Sequence, residues 1–305
     1  MFVMRIKPKI KVKPLASKKS SALNVTPFRT WKANVCAVTR CRMLPCPATS
    51  MAAYPELRGK VGIVTGGNTG IGEAVARRLG AEGASVVVGG SHHPEEAERV
   101  AAEICRAGGQ ARAAVADLTR GSEVERLVGE AVEAFGPVDL LVNSAGGFPG
   151  RKLLVETDED EWDAIMAINL KSAFLMCRAV LPSMIERRYG RIVSLSSEAG
   201  RTAVALTAAH YAASKAGLLG MTRHLAREVA PHGVTVNATA PATTYTPRAR
   251  RVTPPEVEQR LLSITPIGRI AEVEEQVGAV LFLLSDEASY ITGATLDVAG
   301  GKVML

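Results

Sequence analysis

Val61-Gly62-Ile63-Val64-Thr65 runs without a break into Gly66-Gly67-Asn68-Thr69-Gly70-Ile71-Gly72. The first five residues form an apolar, β-branched run of strand length. The rest is a glycine-rich turn that opens a helical pattern over Ile71–Glu82. Glycines at such a junction permit a tight turn, close backbone approach to a pyrophosphate, and close packing of helix on strand. The new helix offers unpaired N–H groups and a positive dipole end to phosphate. Glycine turns punctuate many strand–helix junctions, so the rest of the chain decides the meaning of this one.

Downstream of the turn the chain alternates regularly. Further apolar strands are predicted over Ser85–Gly89, Ala111–Ala116, Val138–Asn143, Arg191–Leu195, Val234–Ala238 and Ala294–Val298. Helical periodicity marks Pro94–Ala107, Ser122–Phe135, Glu159–Arg188, Ala208–Ala230 and Glu272–Ser285. Continuous apolar strands between helices predict an α/β fold, a doubly wound parallel sheet of seven strands with helices on both faces. With no internal repeat and no linker after Met51, one domain is expected over residues 51–305.

The 305 residues carry a net charge of +7, but unevenly. Residues 1–50 hold eleven Lys/Arg and no Asp or Glu, leaving the remainder with 26 basic and 30 acidic residues. A nucleic-acid-binding face would need its basic charge on the folded part, where the net is −4, so no nucleic-acid partner is expected. The acid-free segment 1–50 has two readings. It is an organellar transit peptide for the plastid or mitochondrial matrix, or an upstream extension of a cytoplasmic enzyme beginning at Met51. Cys36, Cys41 and Cys46 lack the paired spacing of a zinc site, so no metal is expected. Cys105 and Cys177 read as buried, reduced thiols. No run approaches the roughly 18 uninterrupted apolar residues of a membrane helix, so no membrane partner is expected either.

A second constellation lies downstream. Tyr211 and Lys215 are four residues apart on a predicted helix and share one face. Ser197 ends the preceding strand, where a parallel sheet places its ligands. Together they suit a carbonyl. Tyr211 exchanges the proton, Lys215 lowers its pKa, and Ser197 bonds the substrate oxygen. Strand alternation sends the adjacent Ser196 to the other side, as a packing or secondary polar residue.

On these residues the chain resembles the short-chain dehydrogenases/reductases from about Leu57 to Gly301. Thr65-Gly-Gly-x-x-Gly-Ile-Gly72 matches their cofactor turn. Asp117-Leu118 matches their adenine segment, and Asn143-Ser-Ala-Gly146 is a variant of their Asn-Asn-Ala-Gly motif. Asn169 falls where the family has an Asn supporting a proton-relay water, completing a tetrad with Ser197, Tyr211 and Lys215. Ile291-Thr-Gly293 matches the segment before the last strand. The resemblance implies a Rossmann-type fold, a homotetramer, and NAD(P)H-dependent interconversion of a carbonyl and a secondary alcohol. The implied cofactor contacts are Thr65, Gly66, Gly70, Ile71, Gly72, Ser91, Asp117, Leu118, Asn143, Ala145, Gly146, Tyr211, Lys215, Pro241 and Thr246.

The members most similar are 3-oxoacyl-acyl-carrier-protein reductases of fatty acid synthesis, which implies an acyl-thioester substrate and an acyl carrier protein as partner. Arg188 matches one of their two basic docking residues, and His232 stands where the second is expected. The alternative substrate is a small ketone, sugar or polyol. A dinucleotide sensor without catalysis would have lost Tyr or Lys, and both are present. Two motifs depart from the family: Pro241-Ala242 replaces Pro-Gly, and Val298-Ala299-Gly300-Gly301 replaces Val-Asp-Gly-Gly. At the end of the second strand Gly90 takes the position of an NAD-selecting Asp, followed by Ser91, His92 and His93. Nothing negative there repels a 2′-phosphate, so NADP(H) is expected over NAD(H). Ala173, Phe174, Ala212, Ala216, Leu218 and Leu219 read as surplus apolar surface for subunit pairing.

Overall fold

The computed structural model describes residues 54–90, 94–204 and 207–304. The expected boundary at Met51 and the expected cofactor contact Ser91 lie outside these residues. In chain order the strands are β1 (Val61–Thr65), β2 (Ser85–Gly90), β3 (Gln110–Val115), β4 (Leu140–Asn143), β5 (Gly190–Leu195), β6 (Val234–Pro241) and β7 (Thr295–Val298). All pairings are parallel, in the order β3-β2-β1-β4-β5-β6-β7. This is the doubly wound sheet that the alternation predicts. The order reverses between β1 and β4, and such a switch point opens a crevice at the carboxyl ends of the strands.

The helices are α1 (Gly70–Ala81), α2 (Pro94–Arg106), α3 (Gly121–Phe135), α4 (Glu159–Met166), α5 (Ser172–Arg187), α6 (Ala209–Val229), α7 (Pro247–Val252), α8 (Pro255–Ile264) and α9 (Val273–Leu284). One face of the sheet is covered by α1, α2 and α9, through Val75, Leu79, Ile104, Val277 and Leu281. The other is covered by α3, α5 and α6, through Leu127, Met176, Val180 and Val229. Strands β1, β4, β5 and β6 are buried along their whole length, which is why they read as unbroken apolar runs. The edge strand β3 differs, with Gln110 and Arg112 exposed, as edges usually carry polar side chains.

Three expectations need correction. The predicted helix 159–188 is interrupted by a π turn over Ala167–Lys171, where the Asn169 side chain has to reach a neighbouring segment. Of the supposed surplus apolar residues, Ala173, Leu218 and Leu219 are buried within the subunit, whereas Phe174 is 46% exposed and Ala216 is exposed. Of the two thiols expected inside, Cys177 is buried but Cys105 is exposed. The Glu159–Arg187 run is long and apolar enough to cross a membrane by length and hydropathy alone, yet its Leu175, Met176, Val180 and Met184 serve the core.

Candidate active site

The glycine turn sits at the mouth of the crevice, and its geometry explains its composition. Gly66 (φ +62°) and Gly70 (φ +56°) occupy the left-handed region. A Cβ on Gly66 would lie 2.9 Å from the Ala145 Cα, and one on Gly72 only 2.2 Å from the Gly66 carbonyl oxygen. Thr69 precedes α1 without a side-chain cap, so it leaves the first N–H groups of that helix to another acceptor. Thr246 comes across from the chain after β6, its Cγ2 3.1 Å from where a Cβ on Gly70 would stand. Bare backbone, an uncapped helix start and a neighbouring threonine suit a pyrophosphate, so the residues present fit a dinucleotide.

The other expected cofactor residues divide. Ala145 lines the turn, Gly146 faces Asn169 and Lys215, Pro241 closes β6, and Ile71 packs partly on the core. Thr65 is spent inside the protein: its hydroxyl donates to the Val142 carbonyl and accepts from the Ser144 and Ala145 N–H groups at 3.1 Å. It brackets β1 to the segment after β4. The Asn143 amide points inward, donating to Ser194 Oγ at 3.2 Å and to Cys177 Sγ. Leu118 belongs to the core, so only its backbone can face a ligand. Asp117 is exposed, with Oδ1 accepting from Thr119 and Oδ2 facing Arg120.

Ser197, Tyr211 and Lys215 meet at the carboxyl end of β5. Ser197 opens the 3-10 turn Glu198–Gly200, and its hydroxyl accepts from Ala199 N–H and hydrogen-bonds Tyr211. Burial raises the Tyr211 pKa above the ordinary phenol value, the Ser197 hydrogen bond opposes this, and the Glu198 charge adds to it. Lys215 Nζ lies 5.9 Å from the Tyr211 ring centroid and donates to the Leu195 carbonyl at 2.8 Å. Burial pushes the lysine down to about 8. Lys215 is therefore close to Tyr211, but the tyrosine's pKa is raised on balance rather than lowered, and the influence that opposes the rise is the Ser197 hydrogen bond. Ser196, as expected, is secondary: its hydroxyl donates to the Lys215 carbonyl.

Asn169 is buried in the π turn, and its amide clamps the segment after β4. Its Nδ2 donates to the Gly147 carbonyl at 3.1 Å and its Oδ1 accepts from Gly147 N–H at 2.9 Å. Gly146 must be glycine, because a Cβ there would lie 2.6 Å from Asn169 Oδ1 and 3.4 Å from Lys215 Nζ. The helix widens where this amide has to reach sideways, a common use of π turns at functional sites. Ala242 needs no left-handed backbone, since among the described residues only Arg188 combines a side chain with positive φ. The loss of glycine there costs no backbone strain.

Several side chains at the site carry no signal in the sequence. Phe148 stands edge-on to the Tyr211 ring, with centroids 5.1 Å apart, and the Arg248 guanidinium of α7 reaches the Phe148 carbonyl at 3.4 Å. Nothing in a Gly-Gly-Phe-Pro-Gly segment marks that contact beforehand. His210, next to Tyr211, is wholly buried with Nε2 3.3 Å from Glu161 Oε1, and Glu161 also takes Lys152. Arg188 and His232 lie together at the amino ends of β5 and β6, Arg188 donating to the Pro231 carbonyl. Six residues of β5 separate them from Ser197, roughly 20 Å at strand rise. The two residues expected to dock a carrier protein thus stand at the end of the sheet away from the crevice.

Known proteins match this arrangement over most of the chain. The family described as enoyl-(acyl carrier protein) reductase is matched by residues 66–302. The 3-oxoacyl-[acyl-carrier-protein] reductase of Salmonella typhimurium is 39% identical over 252 residues, covering 82% of this chain and 100% of that one. A crystal structure of a 3-oxoacyl-[acyl-carrier protein] reductase from Brucella melitensis superposes with a TM-score of 0.78 at 34% identity, covering 84% of this chain and 98% of that one. A second structure from that organism, with bound NAD, gives 0.76 at 33% identity, again over 84% and 98%. Identity on this scale, over a sheet whose switch-point crevice holds the glycine turn and the Ser–Tyr–Lys cluster together, means that the chain belongs to the short-chain dehydrogenase/reductase family of NAD(P)-dependent oxidoreductases.

Proposed function

We propose that this enzyme reduces the ketone of a 3-oxoacyl thioester at the expense of NADPH. The observation that carries the chemistry is the Tyr211 hydroxyl, hydrogen-bonded to Ser197 and flanked by the Lys215 ammonium at the carboxyl end of β5. When bound, the nicotinamide supplies the hydride. Tyr211 gives its proton to the carbonyl oxygen, and the Ser197 hydroxyl donates a hydrogen bond to that oxygen as charge develops. The Ser197 hydrogen bond also favours the tyrosinate left behind, and Lys215, still mostly protonated at neutral pH, would hold the nicotinamide ribose. Asn169 keeps Gly146 and Gly147 in place beside it.

The thioester is favoured by the curated relatives and by apolar surface beside the proton donor. Phe148 walls Tyr211, and the segment beyond it exposes Leu153, Leu154 and Val155, which suit an acyl chain better than a sugar. Carrier-protein delivery is the further part of this reading, and its docking residues stand far from the crevice of their own subunit. Cofactor oxidation over a panel of 3-oxoacyl thioesters, small ketones and sugars is expected to give the highest kcat/KM with a thioester. A sugar or small ketone turned over more efficiently would replace this substrate.

NADPH is expected over NADH by about tenfold, or roughly 1.4 kcal/mol. Gly90 leaves the end of β2 without the carboxylate that would bond a ribose 2′-hydroxyl and repel a 2′-phosphate. There is room to add one. A Cβ on Gly90 would sit 3.5 Å from Ala97 Cβ and 3.5 Å from Asn68 Cγ, both ordinary contacts. Gly90→Asp should therefore fold and reverse the preference towards NADH. Steady-state constants that favour NADH in the unmodified enzyme would overturn this assignment.

A further inference from the structure

The residue after Ser197 is an acid, and it is buried. Glu198 is 5% exposed, and its carboxylate is met at 2.7 Å by Lys302 Nζ from the chain beyond β7. A second pair joins the same two segments: Arg201 forks onto Asp297 with both bonds at 2.9 Å. Gly300 (φ +58°) and Gly301 (φ +85°) turn the chain so that Lys302 comes back to the sheet. On its other side the Glu198–Gly200 turn is wedged against α6, because a Cβ on Gly200 would lie 2.8 Å from the Lys215 backbone and 2.9 Å from Ser196 Oγ. The turn bearing Glu198 is thus gripped between the helix that carries Tyr211 and the last residues of the chain.

We propose that Lys302 is a positioning residue for the reaction: it meets the buried Glu198 carboxylate, offsets part of its charge and holds the turn beginning at Ser197, so that Tyr211 exchanges its proton beside a paired rather than a bare carboxylate. A carboxylate in this place is otherwise a disadvantage, since its charge opposes the tyrosinate through a medium that screens poorly. Burial of an unpaired charge is itself costly, so the ammonium serves both the fold and the site. The charged and titratable groups around this corner are Lys215 on α6, Glu198 and Arg201 on the turn, Asp297 and Lys302 on the last segment, and the His210–Glu161 pair between α6 and α4. Among them Lys302 alone meets Glu198 by direct contact in the described hydrogen bonds.

The proposal rests on Tyr211 being the proton carrier, and a pH profile separates the two ideas. In alcohol oxidation, followed with NADP+ and racemic 3-hydroxybutyryl-coenzyme A, the ionised tyrosine accepts the proton, so the acid limb of kcat reports its pKa. Lys302→Met is expected to move that limb up by about half a pH unit, and Glu198→Gln to move it down by about as much. The double variant should return near the parent, and Lys302→Arg, which keeps the cation, should not move it. The same shifts are expected without substrate, in the tyrosinate absorbance of each protein minus that of its Tyr211→Phe counterpart. Limbs that move in the same direction, or absorbance midpoints that stay fixed, overturn the role of Lys302. If Tyr211→Phe keeps its turnover, the proton-carrier reading fails instead.

Discussion

Tyr211→Phe is expected to lower turnover by roughly 10²–10⁴-fold, the range over which a positioned acid–base group contributes. The substitution removes one hydroxyl and leaves the ring. Its edge contact with Phe148 and its place on α6 should survive, since both depend on the ring and on the backbone. Ser197 loses a partner but keeps the bond it accepts from Ala199, so the turn after β5 is held. Affinity for NADPH should stay within a few fold, because the glycine turn, Thr246 and Lys215 are untouched. Stopped-flow turnover alongside cofactor titration by fluorescence checks both halves. Near-parental turnover would remove Tyr211 from the chemistry, and lost cofactor binding would show that the hydroxyl serves to hold the ligand.

The fold is largely legible in the sequence because its central strands are buried on both faces. A run such as Val86-Val87-Val88 has no polar side to confuse with a helix, and β1 and β2 agree with prediction to within one residue. The features that escape prediction are decided by contacts between distant residues. The π turn inside the predicted helix 159–188 forms because the Asn169 amide must reach Gly147, and helical periodicity carries no trace of that demand. Strand β6 continues past the predicted Ala238 to Pro241 because β7 pairs with Ala238 through Pro241. The segment after β6 holds two short helices, α7 and α8, and the arginines of α7 give no apolar stripe to read.

The candidate site is legible in its parts and not in its wiring. Tyr211 and Lys215 share a face by helix geometry alone, and Ser197 joins them because parallel strands deliver their carboxyl ends to one edge. Which groups set the acidity of Tyr211 is not readable. Lys215 is charged and near, yet burial, Ser197 and Glu198 govern the tyrosine. Glu198 stands in plain view in Ser-Ser-Glu-Ala-Gly, but its partner is 104 residues away and lies across the sheet. Motif position makes Thr65 and Asn143 ligand contacts, whereas their side chains join β1 and β4 to neighbouring elements.

Gly72→Ala meets the closest obstacle of any described glycine and is expected to be damaging, and two opposing effects decide its sign. Inside a helix, exchanging Gly for Ala is worth about 1 kcal/mol of stability through lost backbone entropy in the unfolded chain. Against this, the new Cβ would stand 2.2 Å from the Gly66 carbonyl oxygen, 2.8 Å from its carbon and 2.9 Å from Ser144 Oγ. The first two obstacles are backbone, so no rotamer change relieves them, and either α1 or the turn has to move. Overpacking of this kind typically costs about 1–3 kcal/mol, which exceeds the propensity gain. Moving Gly66 also opens the turn that would receive the pyrophosphate, so NADPH affinity should fall by tenfold or more, about 1.4 kcal/mol. Gly129→Ala on α3 supplies the control, because no atom lies within 4 Å of its Cβ and only the propensity gain remains. Thermal melting should therefore move down for Gly72→Ala and stay level or rise for Gly129→Ala, by a few degrees in each case. A Gly72→Ala protein that melts with the parent and binds NADPH normally would remove the close packing of α1 on the glycine turn as the reason this position is glycine.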